Sequence, residues 1–223
     1  MTDVHSAAPA PAYRLVPSQF PPIGLFDTVA TTADLAAVMD LVGWTNDRIV
    51  AERLARLPEA EWVFGRPNAS VVMAAFLHAA PGGMRFNDND LGAWYAARAL
   101  TTAAVEVAHH MRREAVARGA SKLTRKFRTY TSILAGDYLD ICSQQAARPD
   151  IYASESYVAS QILGERIRAA GGAGVIFDSL RHAGGINVVA YRPRNVLDVT
   201  QTAHYGLTVQ ADARRIELRR LVS

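Results

Sequence analysis

The chain has 223 residues, half of them apolar and a fifth charged, which is ordinary for a globular core and fits one large domain or two small ones. A net charge of +3 and a pI of about 9.2 suit an anionic ligand but are too small to mark a nucleic-acid binder. A single cysteine, Cys142, excludes an internal disulfide. It lies in an apolar run and reads as a small buried side chain. No long uncharged apolar run is present, so no transmembrane helix is expected. The first residues lack the charged and apolar regions of a secretory signal, which makes the cytoplasm the expected compartment.

Residues 1–12 are small, polar and Pro/Ala-rich and are expected to be disordered. Tyr13-Arg14-Leu15-Val16 has β character and stops at Pro17. From Thr31 the pattern turns helical. Thr31 can cap, Asp34 follows, and Leu35, Val38, Met39 and Val42 form a stripe that Gly43 ends. A second helix is predicted from Thr45 or Asn46 onward, with Ile49, Leu54 and Leu57 inward and Pro58 closing it. A third covers roughly 69–80. This block, about 30–80, reads as a helical insertion or cap on a main domain of 13–223.

A glycine pair, Gly82 and Gly83, then opens a loop carrying Arg85, Asn87 and the acidic turn Asp88-Asn89-Asp90. An extended piece with Trp94 and Tyr95 follows. A helix is predicted over about 101–118, with Ala104, Ala108, Met111 and Ala115 on its apolar stripe and Gly119 as C-cap. Next, Phe127, Thr129, Thr131 and Ile133 alternate with Lys126, Arg128 and Tyr130. A turn at Gly136-Asp137 leads to a strand near 138–141, and the two are expected to pair as a hairpin. A helix over about 154–170 points Val158, Ile162 and Leu163 inward and ends at Gly171-Gly172. Strands are predicted near 175–177, 186–191, 196–199 and 206–210. The basic tail, 214–221, fits an edge strand or a short helix. Many strands with few helices between them give an α+β fold with mainly antiparallel pairing.

Several side chains carry chemistry. A guanidinium behind glycines, as at Arg85, can grip a phosphate with two parallel hydrogen bonds, although taken alone it reads as a surface arginine in a turn. Tyr95 is either a core ring or a ring that stacks on a ligand base. Glu106, set among Ala103, Ala104, Val105, Val107 and Ala108, is solvent-facing or partly buried for a purpose. A carboxylate beside a ribose can stabilise a developing oxocarbenium ion. His109 and His110 are adjacent, point in different directions and cannot chelate one ion, so no metal is expected. Asp178-Ser179-Leu180-Arg181 ends a strand beside Gly184-Gly185-Ile186-Asn187. Ser179 there suits a hydrogen bond to a ligand, and no G-x-S-x-G elbow or P-loop surrounds it.

Five segments in order carry a resemblance. They are Gly82-Gly83-Met84-Arg85-Phe86-Asn87, Gly92-Ala93-Trp94-Tyr95-Ala96-Ala97, Thr102-Ala103-Ala104-Val105-Glu106-Val107, Gly174-Val175-Ile176-Phe177-Asp178-Ser179-Leu180-Arg181 and Gly185-Ile186-Asn187-Val188-Val189-Ala190-Tyr191. Together they resemble the RES-domain family, whose members are often toxins of Xre–RES toxin–antitoxin pairs. The resemblance covers about 85–199, with Arg14 similar to an N-terminal arginine used near NAD. The family's Gly-Gly-Arg-Trp-Asn reads here with Met84 inserted and Phe86 for tryptophan.

The resemblance implies a fold like that of ADP-ribosyltransferases, a split antiparallel β core with surrounding helices. It implies NAD+ as substrate, with no separate cofactor and with phosphate, water or a protein side chain as acceptor. Arg85, Glu106 and Ser179 would be the catalytic set, with Arg14, Tyr95 and Asn187 on the substrate. Arg85 would hold the pyrophosphate or nearby ribose and Tyr95 would stack on the nicotinamide end. Glu106 would stabilise the ribosyl cation, and Ser179 would bond the dinucleotide. The partner implied is an Xre-type antitoxin, and a homo-oligomer is left open. Alternatives are a mono-ADP-ribosyltransferase acting on a protein, and a non-catalytic module whose basic tail grips nucleic acid. The scarcity of clustered Lys and Arg speaks against the last.

Overall fold

The β-branched and aromatic stretches of the chain collect into a single mixed sheet. The computed structural model describes residues 3–19, 26–29, 31, 34 and 48–222. Its strands are β1 (Val4–Ala7), β2 (Ala12–Pro17), β3 (Trp94–Ala97), β4 (Lys122–Leu134), β5 (Asp137–Asp140), β6 (Gly174–Asp178), β7 (Ile186–Ala190), β8 (Val196–Gln210) and β9 (Ile216–Leu221). They lie in the order β1-β5-β6-β7-β3-β2-β4-β8-β9. Every pair is antiparallel except β5 with β6. The fold is α+β, and the sheet is split. Between β3 and β2 the only residues in register are Tyr13 and Ala97, whereas β2 follows β4 from Ala12 to Pro17 and β3 follows β7 from Trp94 to Ala97.

Among the described residues four α-helices cover the sheet: α1 (Arg48–Arg56), α2 (Ala69–Leu77), α3 (Leu100–Ala117) and α4 (Val158–Ala169). The α3 stripe is as predicted. Ala104, Ala108, Met111 and Ala115 are buried against Leu15, Phe127, Leu207 and Val209 of the half formed by β2, β4, β8 and β9. On the other half, α2 packs Val72, Met73 and Phe76 with Trp94, Ile176 and Val188. From the opposite face, Leu163 of α4 joins Val175, Phe177, Val189 and Tyr191. Strand alternation at period two supplies these two facing sets. Thus α2 is part of the core and not a peripheral cap.

Some expectations are corrected. Val4–Ala7 is not disordered but pairs with β5, and Asp3 bonds Arg148 at 2.7 Å, because an open sheet edge offers main-chain partners to any extended segment. Strands β4 and β5 do not form a hairpin. The turn at Gly136 sends β5 to β1 and β6, while β4 stays with β2 and β8. The two strands predicted near 196–199 and 206–210 are one strand, β8, with register shifts opposite Arg128/Tyr130 and Thr131/Ile133. The tail forms the edge strand β9. Thr31 and Asp34 do exchange capping bonds, Thr31 N to Asp34 Oδ2 at 3.0 Å and Asp34 N to Thr31 Oγ1 at 3.1 Å. The stripe from Leu35 to Val42 lies outside the described residues.

Helix α4 departs most from expectation. Val158 and Ile162 are 63% and 65% exposed, and the inward face is Ser160, Leu163 and Gly164. Its close approach is what demands small residues. A Cβ at Gly164 would stand 2.0 Å from the Phe86 carbonyl oxygen and 2.5 Å from the Tyr191 hydroxyl. In a free helix, glycine to alanine stabilises by about 1 kcal/mol. Here Gly164→Ala is expected to destabilise by about 1–3 kcal/mol through overpacking, read as a lowered thermal midpoint. An unchanged or raised midpoint would show that α4 does not press on the Phe86 turn.

Candidate active site

The split in the sheet opens a cleft of about 320 Å³ whose lining includes Arg14, Arg85, Tyr95, Glu106, Tyr157 and Asn187. Glu106 leaves α3 beside the buried stripe. Ser179 Oγ donates to its Oε1 at 2.6 Å, and Asn187 Nδ2 donates to the same oxygen at 2.7 Å. Oε2 has no hydrogen-bond partner among the described residues and is not sealed from solvent. The carboxylate is therefore sorted into an anchored oxygen and an open one.

Ser179 does not line the cleft. It is 6% exposed, and its Oγ accepts the backbone N–H of Arg181 at 3.1 Å and of His182 at 2.9 Å. With both acceptor directions taken, its one proton is aimed at Glu106. Ser179 is thus engaged with Glu106 and its own turn, where a bond to the ligand is the expectation from the resemblance. The hairpin between β6 and β7 is tied to α3 a second time, since Thr102 Oγ1 and His182 Nδ1 lie 2.9 Å apart.

The Arg85 turn is equally fixed. Gly83 takes φ +71, and Met84 N donates to the Asn87 carbonyl at 2.8 Å. A Cβ at Gly83 would stand 2.2 Å from that carbonyl oxygen, so glycine is required here. The inserted Met84 is taken up by this turn, and Phe86 packs on Phe177 with centroids 4.6 Å apart. The Tyr95 hydroxyl donates to Asn87 Oδ1 at 2.8 Å and accepts the Phe86 N–H at 2.9 Å. Burial pushes that phenol upward, so it stays protonated.

Both guanidinia are held without a carboxylate. Arg85 Nη1 donates to the carbonyls of Ile151 at 3.2 Å and Ala153 at 2.9 Å, and its guanidinium lies 4.7 Å from the Tyr157 ring centroid. Arg14 Nη1 donates to the Tyr95 carbonyl at 2.9 Å, with its guanidinium 4.7 Å from the Trp94 ring centroid. Burial lowers both, Arg14 to about 10, which leaves it cationic at neutral pH. Neither has an ion-pair partner among the described residues.

Tyr157, Arg181 and His109 also line the cleft, and sequence reasoning gave none of them a role there. His109 is half-buried and His110 exposed, the division expected for neighbours on a helix. The described residues hold no group of three His, Cys, Asp or Glu that could bind a metal, and none of their helices is long and apolar enough to cross a membrane. Burial pushes the half-buried Cys142 thiol up to about 12.

The fold and site define an α+β protein whose split sheet presents one anchored carboxylate and two uncompensated guanidinia to a common cleft. The family model described as "RES domain" matches residues 53–210, and the chain belongs to the RES domain family. Glu106, Arg85, Tyr95, Ser179 and Asn187 fall inside the matched span, and Arg14 falls outside it. No curated protein matches the chain. Among solved structures it is similar to a chain of the "Crystal structure of the M.tuberculosis MbcT-MbcA toxin-antitoxin complex", with 16% identity, a TM-score of 0.46, and coverage of 89% of this chain and 86% of that one.

Burial lowers His109 from 6.5 to about 4, with the charges of Arg181 and His110 adding to it. Between those pH values the unfolded chain binds a proton that the folded chain refuses, so His109 costs stability as pH falls from 6.5 to 4. His109→Gln is expected to flatten that part of the midpoint-against-pH curve. Superimposable curves for wild type and variant would contradict the lowered affinity of the half-buried His109 for a proton.

Proposed function

We propose that this protein is an NAD+-degrading enzyme, a phosphorylase or glycohydrolase that cleaves the nicotinamide–ribose bond, and the toxin of a pair with an Xre-type antitoxin. The single observation that carries the reading is the Glu106 carboxylate, with one oxygen held by Ser179 and Asn187 and the other open to a cleft that also holds Arg14 and Arg85. Membership of the RES domain family supports it.

In this reading the pyrophosphate lies on the free nitrogens of Arg85, with Arg14 adding positive charge. Two uncompensated guanidinia suit a diphosphate because no internal carboxylate has to be displaced first. The nicotinamide ribose lies on Glu106 Oε2. As the C1–N bond breaks, its electron pair goes to the pyridine nitrogen and nicotinamide leaves neutral. Positive charge then develops on C1 and the ring oxygen, and a carboxylate fixed beforehand stabilises it without reorganising. The oxygen of phosphate or water then bonds to C1, and water gives up a proton to solvent. The Ser179 and Asn187 bonds keep Oε1 from turning toward the cleft, so the same oxygen faces every substrate.

Glu106→Gln preserves the shape of the side chain and leaves an oxygen for Ser179 and Asn187. It is expected to lower nicotinamide release from NAD+ at least about 100-fold with little change in thermal midpoint. Product analysis with and without phosphate separates phosphorolysis from hydrolysis. Full turnover by a folded Glu106→Gln variant would remove the proposed mechanism.

A further inference from the structure

The cleft's aromatic residues are not equivalent. Phe177 is 5% exposed and engaged with Phe86. Tyr13 packs against the cluster beneath α3. Tyr95 has its hydroxyl bonded twice within the Arg85 turn. Tyr157 differs from all three. It is half-buried, it lines the cleft, and its hydroxyl has no hydrogen-bond partner among the described residues.

One side of the Tyr157 ring carries the Arg85 guanidinium. Arg85 is in turn bonded to the carbonyls of Ile151 and Ala153, on the segment that leads into Tyr157. Ring and guanidinium are thus one preassembled unit, and Gln161 of α4 holds the turn beneath it through the Gly82 and Met84 carbonyls at 2.9 and 3.0 Å. The contact with Arg85 occupies one side of the Tyr157 ring and steadies the guanidinium, while the ring still lines the cleft. An aromatic face beside a phosphate-binding guanidinium is the arrangement that takes a nucleobase, since stacking is tolerant of ring identity and adds to the ionic contact.

We propose that Tyr157 is the stacking platform for a planar heteroaromatic ring of the ligand, set beside the guanidinium that takes its pyrophosphate. This rests on the dinucleotide reading above. That ligand carries two such rings, nicotinamide and adenine, and Tyr157 meets one of them. Tyr95, to which the resemblance gives the stacking role, also holds the Arg85 turn through Asn87 and the Phe86 N–H.

Steady-state kinetics on the full chain test this, with NAD+ and with nicotinamide mononucleotide, which lacks the adenylate half. Tyr157→Leu is expected to raise KM about tenfold at unchanged kcat, and Tyr157→Phe to keep the wild-type KM. A rise with NAD+ alone assigns adenine to the platform, and a rise with both substrates assigns nicotinamide. Tyr157 is also the N-cap residue of α4 and makes no capping bond, so Tyr157→Ser removes the ring while improving the helix start, and serves if the leucine variant folds poorly. Unchanged KM for both substrates in the ring-less variants overturns the inference, as does a fall in kcat at constant KM. If the wild-type protein releases no nicotinamide from either substrate, the dinucleotide reading itself fails. Turnover with unaltered KM in the variants rejects Tyr157 alone.

Discussion

The bond pair on Glu106 Oε1 holds the two halves of this molecule in a working relation. Helix α3 packs its stripe on the half formed by β2, β4, β8 and β9. Ser179 and Asn187 belong to the other half, just past β6 and on β7 respectively. The strands themselves meet across the split at Tyr13 and Ala97 only. A carboxylate on an alanine-rich helix would be costly to bury unpaired. Here it is bonded by two donors that lie 73 and 81 residues away in sequence. The contact that satisfies the charge is thus also one of the links across the split, beside the Arg14 bond to the Tyr95 carbonyl and the Thr102–His182 contact.

The two guanidinia obey a complementary rule. Buried arginines are usually neutralised by carboxylates, as Arg192 is by Glu61 in this protein. Arg14 and Arg85 are steadied instead by carbonyl oxygens and aromatic faces. Those partners fix position but cancel little charge. Burial lowers both groups, and Arg14, at about 10, keeps its proton at neutral pH. The cleft therefore keeps a positive potential that an anion can use, at the cost of holding unpaired cations inside the fold.

Much of this was legible in the sequence, and what was not has physical reasons. The stripe at Ala104, Ala108, Met111 and Ala115 could be read because a long helix repeats its spacing several times. The cluster of Arg85, Tyr95 and Glu106 could be read because the order of the segments around it is distinctive. Pairing of β4 with β5 was misread because a tight turn reports local reversal only, while the true partners, β1, β2, β6 and β8, are remote. The face of α4 was misread because a helix that buries Ser160 and Gly164 shows no apolar signal there, and Val158 and Ile162 mimic one on the outer side. Tyr157 stands in the polar stretch Ser154-Glu155-Ser156, where no periodicity singles it out. The bonds of Ser179 are not legible in the sequence, since only geometry shows its acceptor directions filled by Arg181 and His182.

Charge along the cleft then follows a simple logic. The cleft is lined by two guanidinia without ion-pair partners among the described residues and by a carboxylate with one unbonded oxygen. A neutral or uniformly charged ligand would leave one of these groups unmatched. A molecule with a diphosphate at one end and a ribose that turns cationic at the other would match both, and the match at Glu106 would improve as its bond to the base breaks. Interactions that strengthen along the reaction accelerate it, whereas those that hold substrate and transition state alike only tighten binding. On the proposed reading Arg14 and Arg85 would contribute mostly to binding and Glu106 mostly to rate. Ser179 and Asn187 hold Oε1, and on that reading they would keep the second contribution from being lost to rotation of the carboxylate.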